Sequence, residues 1–242
     1  MSPCRITGKM RRAMDLPSRT NQPESWIIDL DNTLYPEACD VFAQIDQRMG
    51  AFIANLLSID LVAARRIQKR YLMDHGTTLR GLMDNHGVAP RAFLDYVHDI
   101  DLDVVPRDPA LAALLDRLPG RKLVYTNGDL AYARRVLARI GIDTQFEAVF
   151  DITAAGYVPK PNGAPLDTLV AAYGLDPRAC VMIDDMARNL RPAHERGMTT
   201  VWLRTQSPYG RHDAEGAHVH HIADDLKSWL AAYVDSHQDG AP

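Results

Sequence analysis

Two carboxylates stand two residues apart in Asp29-Leu30-Asp31-Asn32-Thr33, directly after the apolar run Trp26-Ile27-Ile28. Side chains two apart on an extended backbone point to the same side. Both acids therefore project together from the end of a buried strand. Such a pair is unfavourable unless something positive compensates it, and a hard divalent cation held by oxygen ligands is the natural compensator. The competing reading is a pair of loop acids that cap the next helix. A second acidic pair, Asp184-Asp185, follows the apolar run Val181-Met182-Ile183. Acids from two strand ends meet only if the strands are neighbours; if they are, one cation site draws on both. The competing reading here is N-capping of a helix that starts near Ala187, which accounts for one aspartate more easily than for two.

Two further signals suit an anion. Thr126-Asn127-Gly128 follows the apolar run Leu123-Val124-Tyr125 and leads into a helical pattern. A hydroxyl and a glycine turn there offer an OH and free backbone N–H groups to an anion, with Asp129 as the cap of the helix. Lys160, before Pro161, supplies a compact charge for phosphate oxygens; taken alone, it reads better as an ordinary surface lysine.

The elements that must position these groups follow from the apolar runs at 26–28, 123–125, 148–150, 181–183 and 200–203. They are continuous rather than alternating, as expected of strands buried on both faces of a parallel sheet. Helical patterns at roughly 130–140, 164–174 and 188–197 lie between most of them. Alternating strands and helices predict a Rossmann-like open α/β sheet with right-handed crossovers. One interval breaks the rhythm: residues 40–104 are helical in pattern, with Phe42, Ile45, Met49, Phe52 and Leu56 on one face. Gly76 and Gly87 read as helix stops and Pro90 as a start. Pro106 and Pro109 mark the return to a helix at 110–118. A helical insertion after the first strand sits above that strand's carboxyl end, where ligands bind in open α/β sheets. It reads as a cap (40–104) over a core made of 24–39 and 105–236. Residues 205–221 read as a polar irregular loop, and a helix near 224–234 closes the chain.

Composition narrows the partners. Hydrophobic residues make up 46% and the formal net charge is −4, which gives no bulk attraction for nucleic acid or an anionic membrane. No apolar run is long enough to cross a bilayer. Cys4, Cys39 and Cys180 are few and widely spaced, the usage of a reducing cytoplasm. Residues 1–23 carry five basic residues against the single acid Asp15. They read as a disordered tail or an early-assigned start, with Met10 and Met14 as alternatives; an organelle presequence is the competing reading.

Together the four signals resemble the haloacid dehalogenase (HAD) superfamily of phosphotransferases, whose signature is strand-Asp-x-Asp-x-Thr, strand-Ser/Thr, Lys, then strand-acid-acid. The resemblance covers residues 25 to about 235 and implies a Mg²⁺-dependent phosphomonoesterase. It implies that Asp29 is the nucleophile and forms an aspartyl-phosphate, and that Asp31 is general acid and then base, its backbone carbonyl also binding Mg²⁺. It implies that Thr126, the amides of Asn127 and Gly128, and Lys160 hold the phosphoryl oxygens. Asp185 aligns with the direct metal ligand, Asp184 with a second ligand or a support, Asn189 with an orienting group and Thr33 with a tie for the loop. Family members that displace halide lack the second aspartate, so Asp31 disfavours that reaction. Proteins on this fold that only bind tend to lose the nucleophile or metal acids, and Asp29, Asp31, Lys160 and Asp185 are all present.

Asp29-Leu30-Asp31-Asn32-Thr33-Leu34-Tyr35-Pro36, His75-Gly76-Thr77-Thr78-Leu79-Arg80-Gly81-Leu82 and His220-His221-Ile222-Ala223-Asp224-Asp225-Leu226 are similar to the pyrimidine 5′-nucleotidase branch. That resemblance implies a nucleoside monophosphate substrate, UMP or CMP, with phosphoglycolate or a sugar phosphate as the alternative. Arg80, His75 and Tyr35 are the candidate contacts to base and sugar. Arg80 reads equally as a solvated helix residue, Thr77 as an N-cap, and Leu34 and Tyr35 as packing under the cap. His212, His218, His220 and His221 lack regular ligand spacing, and a solvated loop and strand edge explains them better than zinc.

Overall fold

The computed structural model describes residues 22–238. Of the expected tail at 1–23, residues 1–21, with Cys4, Met10 and Met14, lie outside the described residues. The apolar runs become β1 (Ser25–Ile28), β2 (Arg121–Tyr125), β3 (Ala148–Phe150), β4 (Cys180–Asp184) and β5 (Thr199–Leu203). A sixth short strand, β6 (His221–Ala223), completes one parallel sheet in the order β3-β2-β1-β4-β5-β6. Alternation along β1 divides the core: Trp26 and Ile28 join the packing on one face, and Ile27 joins Leu123, Met182 and Trp202 on the other. This two-sided burial is why the strands read as unbroken apolar runs.

Helices α1 (Val41–Leu57), α2 (Leu61–His75), α3 (Thr78–His86) and α4 (Pro90–Val97) fill the long interval after β1. Their limits are set by local chemistry. The Asp60 carboxylate accepts from Ala63 N (2.8 Å) and the Thr77 hydroxyl from Arg80 N (3.1 Å), each satisfying an amide of the first helical turn. Pro90 opens α4, where its missing N–H costs nothing. Gly76 and Gly87 end their helices at φ +85° and +62°, a region that L side chains enter only with strain. This helical cap is inserted in a Rossmann-like α/β core.

The core helices are α5 (Pro109–Arg117), α6 (Leu130–Ile140), α7 (Gly163–Tyr173), α8 (Arg191–Glu195) and α9 (Leu226–Gln238). Two expectations change. The helix expected at 188–197 is a 3₁₀ turn, Ala187–Leu190, followed by the short α8. Pro192 has no N–H to give the carbonyl of Arg188, so an α-helix cannot run through. The loop expected to reach 221 ends in β6, an edge strand whose Ile222 is exposed; three residues carry no period from which to read it.

Candidate active site

Strand order brings the chemistry together. β1 pairs with β2 on one side and with β4 on the other. The chain builds outward to β3 and then returns to place β4 beside β1, so the order reverses between those two strands. The crevice at such a reversal is where open α/β sheets bind ligands. Asp29 follows β1, Thr126 follows β2, and Asp184 ends β4. One carboxylate oxygen from each of Asp29, Asp184 and Asp185 lies within 4.8 Å of the others. Asp29 therefore joins the Asp184-Asp185 pair in one cluster, while the Asp31 carboxylate turns to Tyr35 and Tyr132.

Lys160 stands at the centre of this cluster. Its Nζ donates to Asp29 Oδ1 (2.6 Å), Asp184 Oδ2 (2.7 Å) and the Tyr125 carbonyl (3.0 Å). Only 3% of the residue is exposed, so the surface-lysine reading does not hold. Burial disfavours the ammonium, but Asp184 and Asp29 outweigh it and hold the charge well above the ordinary lysine range. Asn127 aims the lysine: its Oδ1 accepts from Lys160 N (2.9 Å) and its Nδ2 donates to Lys160 O (3.4 Å).

One ammonium does not neutralise the acids. Burial, then the charges of Asp184 and Asp31, push the Asp29 carboxyl up to about 7 against the pull of Lys160. Burial, with Asp29 and Asp184, pushes Asp185 up well above the ordinary range. Asp184 is fully enclosed: Asn189 Nδ2 reaches both its oxygens (3.0 and 3.2 Å) and Met186 N donates to Oδ1 (2.9 Å). Asp185 instead lines the cavity beside Asp29 and Asp31. The donor set is hard oxygen and the residual charge negative, which fits a divalent cation of the Mg²⁺ type.

The neighbouring loops hold these groups in place. Thr33 Oγ1 donates to Asp29 Oδ2 (3.1 Å). Asn32, at φ +58°, turns the chain after Asp31. Trp202 Nε1 ties the Asp185 carbonyl (2.8 Å). One expected phosphate contact differs: the Gly128 amide donates to Thr126 Oγ1 (2.9 Å), so it is not free for an anion. Thr126 is buried behind a cavity wall formed by Asn127 and Gly128.

The cavity encloses about 470 Å³ between the strand ends and the cap. Phe42, Met49 and Phe93 make its apolar wall; Asp46, Arg65, Gln68, Lys69 and Tyr209 make its polar one. Lys69 and Arg65 both bind the Asp46 carboxylate, and the Lys69 ammonium lies 5.3 Å from the centre of the Tyr209 ring. The expected cap contacts fall elsewhere. His75 Nδ1 (3.2 Å) and Arg80 Nη2 (2.8 Å) both pair with Asp84 and line a separate shallow depression. Asp84, one turn after Arg80, captures the guanidinium along the helix surface. Tyr35 is buried and directs its hydroxyl to Asp31 Oδ1 (2.6 Å).

Sequence reasoning missed Tyr132, whose hydroxyl also reaches Asp31 Oδ1 (2.6 Å); its place on the apolar face of α6 reads as core. It also missed Gln68, Lys69 and Asp46. Only their position on helix faces turned toward the insertion's interior could have marked them.

Comparison with known proteins gives the same architecture. A family model described as haloacid dehalogenase-like hydrolase matches residues 26–196. Phosphate metabolism protein 8 of Saccharomyces cerevisiae is 27% identical over 204 residues, which cover 77% of this chain and 63% of that protein. The matched region thus spans less than two thirds of the curated relative. A protein described as a predicted phosphatase from Clostridium acetobutylicum has a similar fold, with TM-score 0.63, 13% identity and coverage of 89% of this chain and 100% of that one. So does a predicted phosphoglycolate phosphatase from Haemophilus somnus 129pt, at TM-score 0.58, 18% identity and coverage of 88% and 99%. A putative HAD-hydrolase, YfnB, from Bacillus subtilis, described as bound to magnesium, aligns at TM-score 0.59, 12% identity and coverage of 88% and 99%.

Proposed function

The chain belongs to the haloacid dehalogenase-like hydrolase family, and from that membership we propose that it hydrolyses pyrimidine nucleoside 5′-monophosphates, with Mg²⁺, through an aspartyl-phosphate on Asp29. The observation that carries this reading is the meeting of Asp29, Asp184 and Asp185 around the buried Lys160 at the switch point of the sheet. Asp29, Asp185 and the backbone carbonyl of Asp31 are the groups to hold the cation, with Asp184 bracing Lys160. When bound, the cation offsets charge on the phosphoryl oxygens.

The protein's own groups supply the steps. An Asp29 oxygen attacks phosphorus in line, and the P–O bond to the sugar breaks. Asp31 gives its proton to the departing alkoxide. Water then attacks the phosphorus of the aspartyl-phosphate and gives its proton to Asp31; phosphate leaves and Asp29 is restored. Lys160 holds phosphoryl oxygens through both steps. Asp31 suits an ester whose leaving oxygen needs a proton, and halide does not.

The chamber supports a nucleotide over a smaller ester. About 470 Å³ falls within the roughly 300–1,000 Å³ of pockets that enclose drug-sized ligands, whereas phosphoglycolate leaves most of it empty. Phe42 and Tyr209 offer flat apolar surface for a base, Lys69 offers a donor for its carbonyls, and Gln68 Oε1, which has no hydrogen-bond partner among the described residues, offers an acceptor for its N–H. The cytoplasmic setting of this reading rests on the sparse cysteines alone.

The test is phosphate release across a panel of UMP, CMP, phosphoglycolate and sugar phosphates. We expect kcat/KM for UMP or CMP to exceed the others by about tenfold or more, and EDTA to stop turnover. Asp29→Asn removes the attacking carboxylate and should lose at least about 10⁴-fold. Robust turnover by that variant refutes the nucleophile; a preference for phosphoglycolate refutes the nucleotide.

A further inference from the structure

We infer that Tyr132 and Tyr35 are positioning residues for Asp31, together fixing which of its carboxyl oxygens meets the leaving group. The inference rests on the reading of Asp31 as the proton donor. Both hydroxyls donate to one oxygen, Asp31 Oδ1, at 2.6 Å each. Their own oxygens lie 3.2 Å apart, so the two donors converge from separate elements onto a single acceptor.

The rings themselves are fixed. Tyr35 is 3% exposed and Tyr132 1%. The cap covers the Tyr132 ring: His98, at the end of α4, stacks on it with centroids 4.2 Å apart and planes 11° apart. His98 Nδ1 is in turn bonded to Asp129 Oδ2 (2.9 Å), and Asp129 Oδ1 caps Tyr132 N (2.8 Å). Tyr132 is thus gripped at its backbone, its ring and its hydroxyl. An aspartate carboxyl otherwise turns freely about its last bond. With Oδ1 taken by two hydroxyls, Oδ2 is the oxygen left to face the ester. Holding a general acid in reach of its target is worth part of the roughly 10²–10⁴-fold that such catalysis supplies.

The experiment compares leaving groups. Tyr132→Phe and Tyr35→Phe each remove one hydroxyl and keep the ring. Their kcat/KM is measured for UMP and β-glycerol phosphate, whose alkoxides need a proton, and for p-nitrophenyl phosphate, whose phenolate leaves without one. This constant reports steps up to release of the first product, so the later base role of Asp31 does not enter. We expect Tyr132→Phe to fall roughly 10- to 100-fold on the alkyl esters and less than about threefold on the aryl ester. Tyr35→Phe should show the same pattern, and the unfolding midpoint of each variant confirms the fold. Equal losses on both ester classes overturn the inference, as does a rise on the alkyl esters, which would mean that the hydroxyls restrain Asp31. Wild-type enzyme that cleaves glycerol phosphate and not UMP sinks the nucleotide reading, while the tyrosine comparison proceeds. Wild-type enzyme that cleaves the aryl ester alone overturns this inference too.

Discussion

The floor and the roof of the cavity are built on different terms. On the floor, groups from three strand ends are fixed from several sides: Lys160 has three acceptors, Asp184 three donors, and Asn127 grips the lysine's backbone at both ends. On the roof, Asp46, Arg65, Gln68 and Lys69 project from two helices and chiefly satisfy one another. The floor has one arrangement because strand order leaves no other. The roof is set by side-chain choice on helices that fold whatever those choices are. On the proposed function, reaction type belongs to the sheet and leaving-group choice to the insertion.

Three substitutions press on that contrast. Lys160→Met, the most severe, removes the ammonium at the centre of a buried acidic cluster. It should cost about 3–5 kcal/mol of stability at neutral pH, the loss typical of breaking a buried pair, and at least about 10²–10³-fold in kcat/KM. Urea denaturation and phosphate release read the two effects. A variant that stays as stable as wild type means that the floor is not over-determined. Lys69→Ala, on the roof, should raise KM for UMP about tenfold, the worth of one hydrogen bond from a charged group. It should leave p-nitrophenyl phosphate within about twofold; an equal loss on both esters erases the division between floor and roof.

The smallest effect is one of pH. Burial favours the neutral form of Asp46, but Lys69 and Arg65 outweigh it and hold the carboxyl below 3.8. A depressed folded-state value gives stability that is present above 3.8 and is lost as pH falls through the lower value. Asp46→Asn should therefore be less stable than wild type at pH 7, and the gap should narrow as pH falls below 3.8 through the depressed value. A gap that persists there assigns the loss to packing rather than to charge.

The same contrast explains what could be read from sequence. Asp29, Asp31, Asp184 and Asp185 were legible because each follows an unbroken apolar run, and such runs in an α/β pattern end at one edge of the sheet. Lys160 was legible only in company. Tyr132 was not, since a tyrosine on an apolar face reads as core and its hydroxyl's target lies in another element, and Tyr35 stood out as a base or sugar contact rather than as a partner of Asp31. His75 and Arg80 stood out as cap residues able to hydrogen-bond a base, yet Asp84 was already placed one turn from Arg80 to claim them. The helix limits at Gly76, Gly87 and Pro90 were legible because they depend on backbone geometry at single residues.

Arg188 lies three residues beyond Asp185, yet its Nη2 donates to the carbonyls of Leu72 (3.1 Å) and Gly76 (3.2 Å), at the far end of α2. A methyl group on Gly76 would come within 3.0 Å of the Lys160 carbonyl. The corner between α2 and α3 is thus keyed to the very segments that carry the acids and the lysine. Variation there is penalised twice, as misfit and as lost chemistry. On the proposed function, new substrate preferences are expected to arise by exchanging side chains that line the cavity from the insertion, with that corner inherited unchanged.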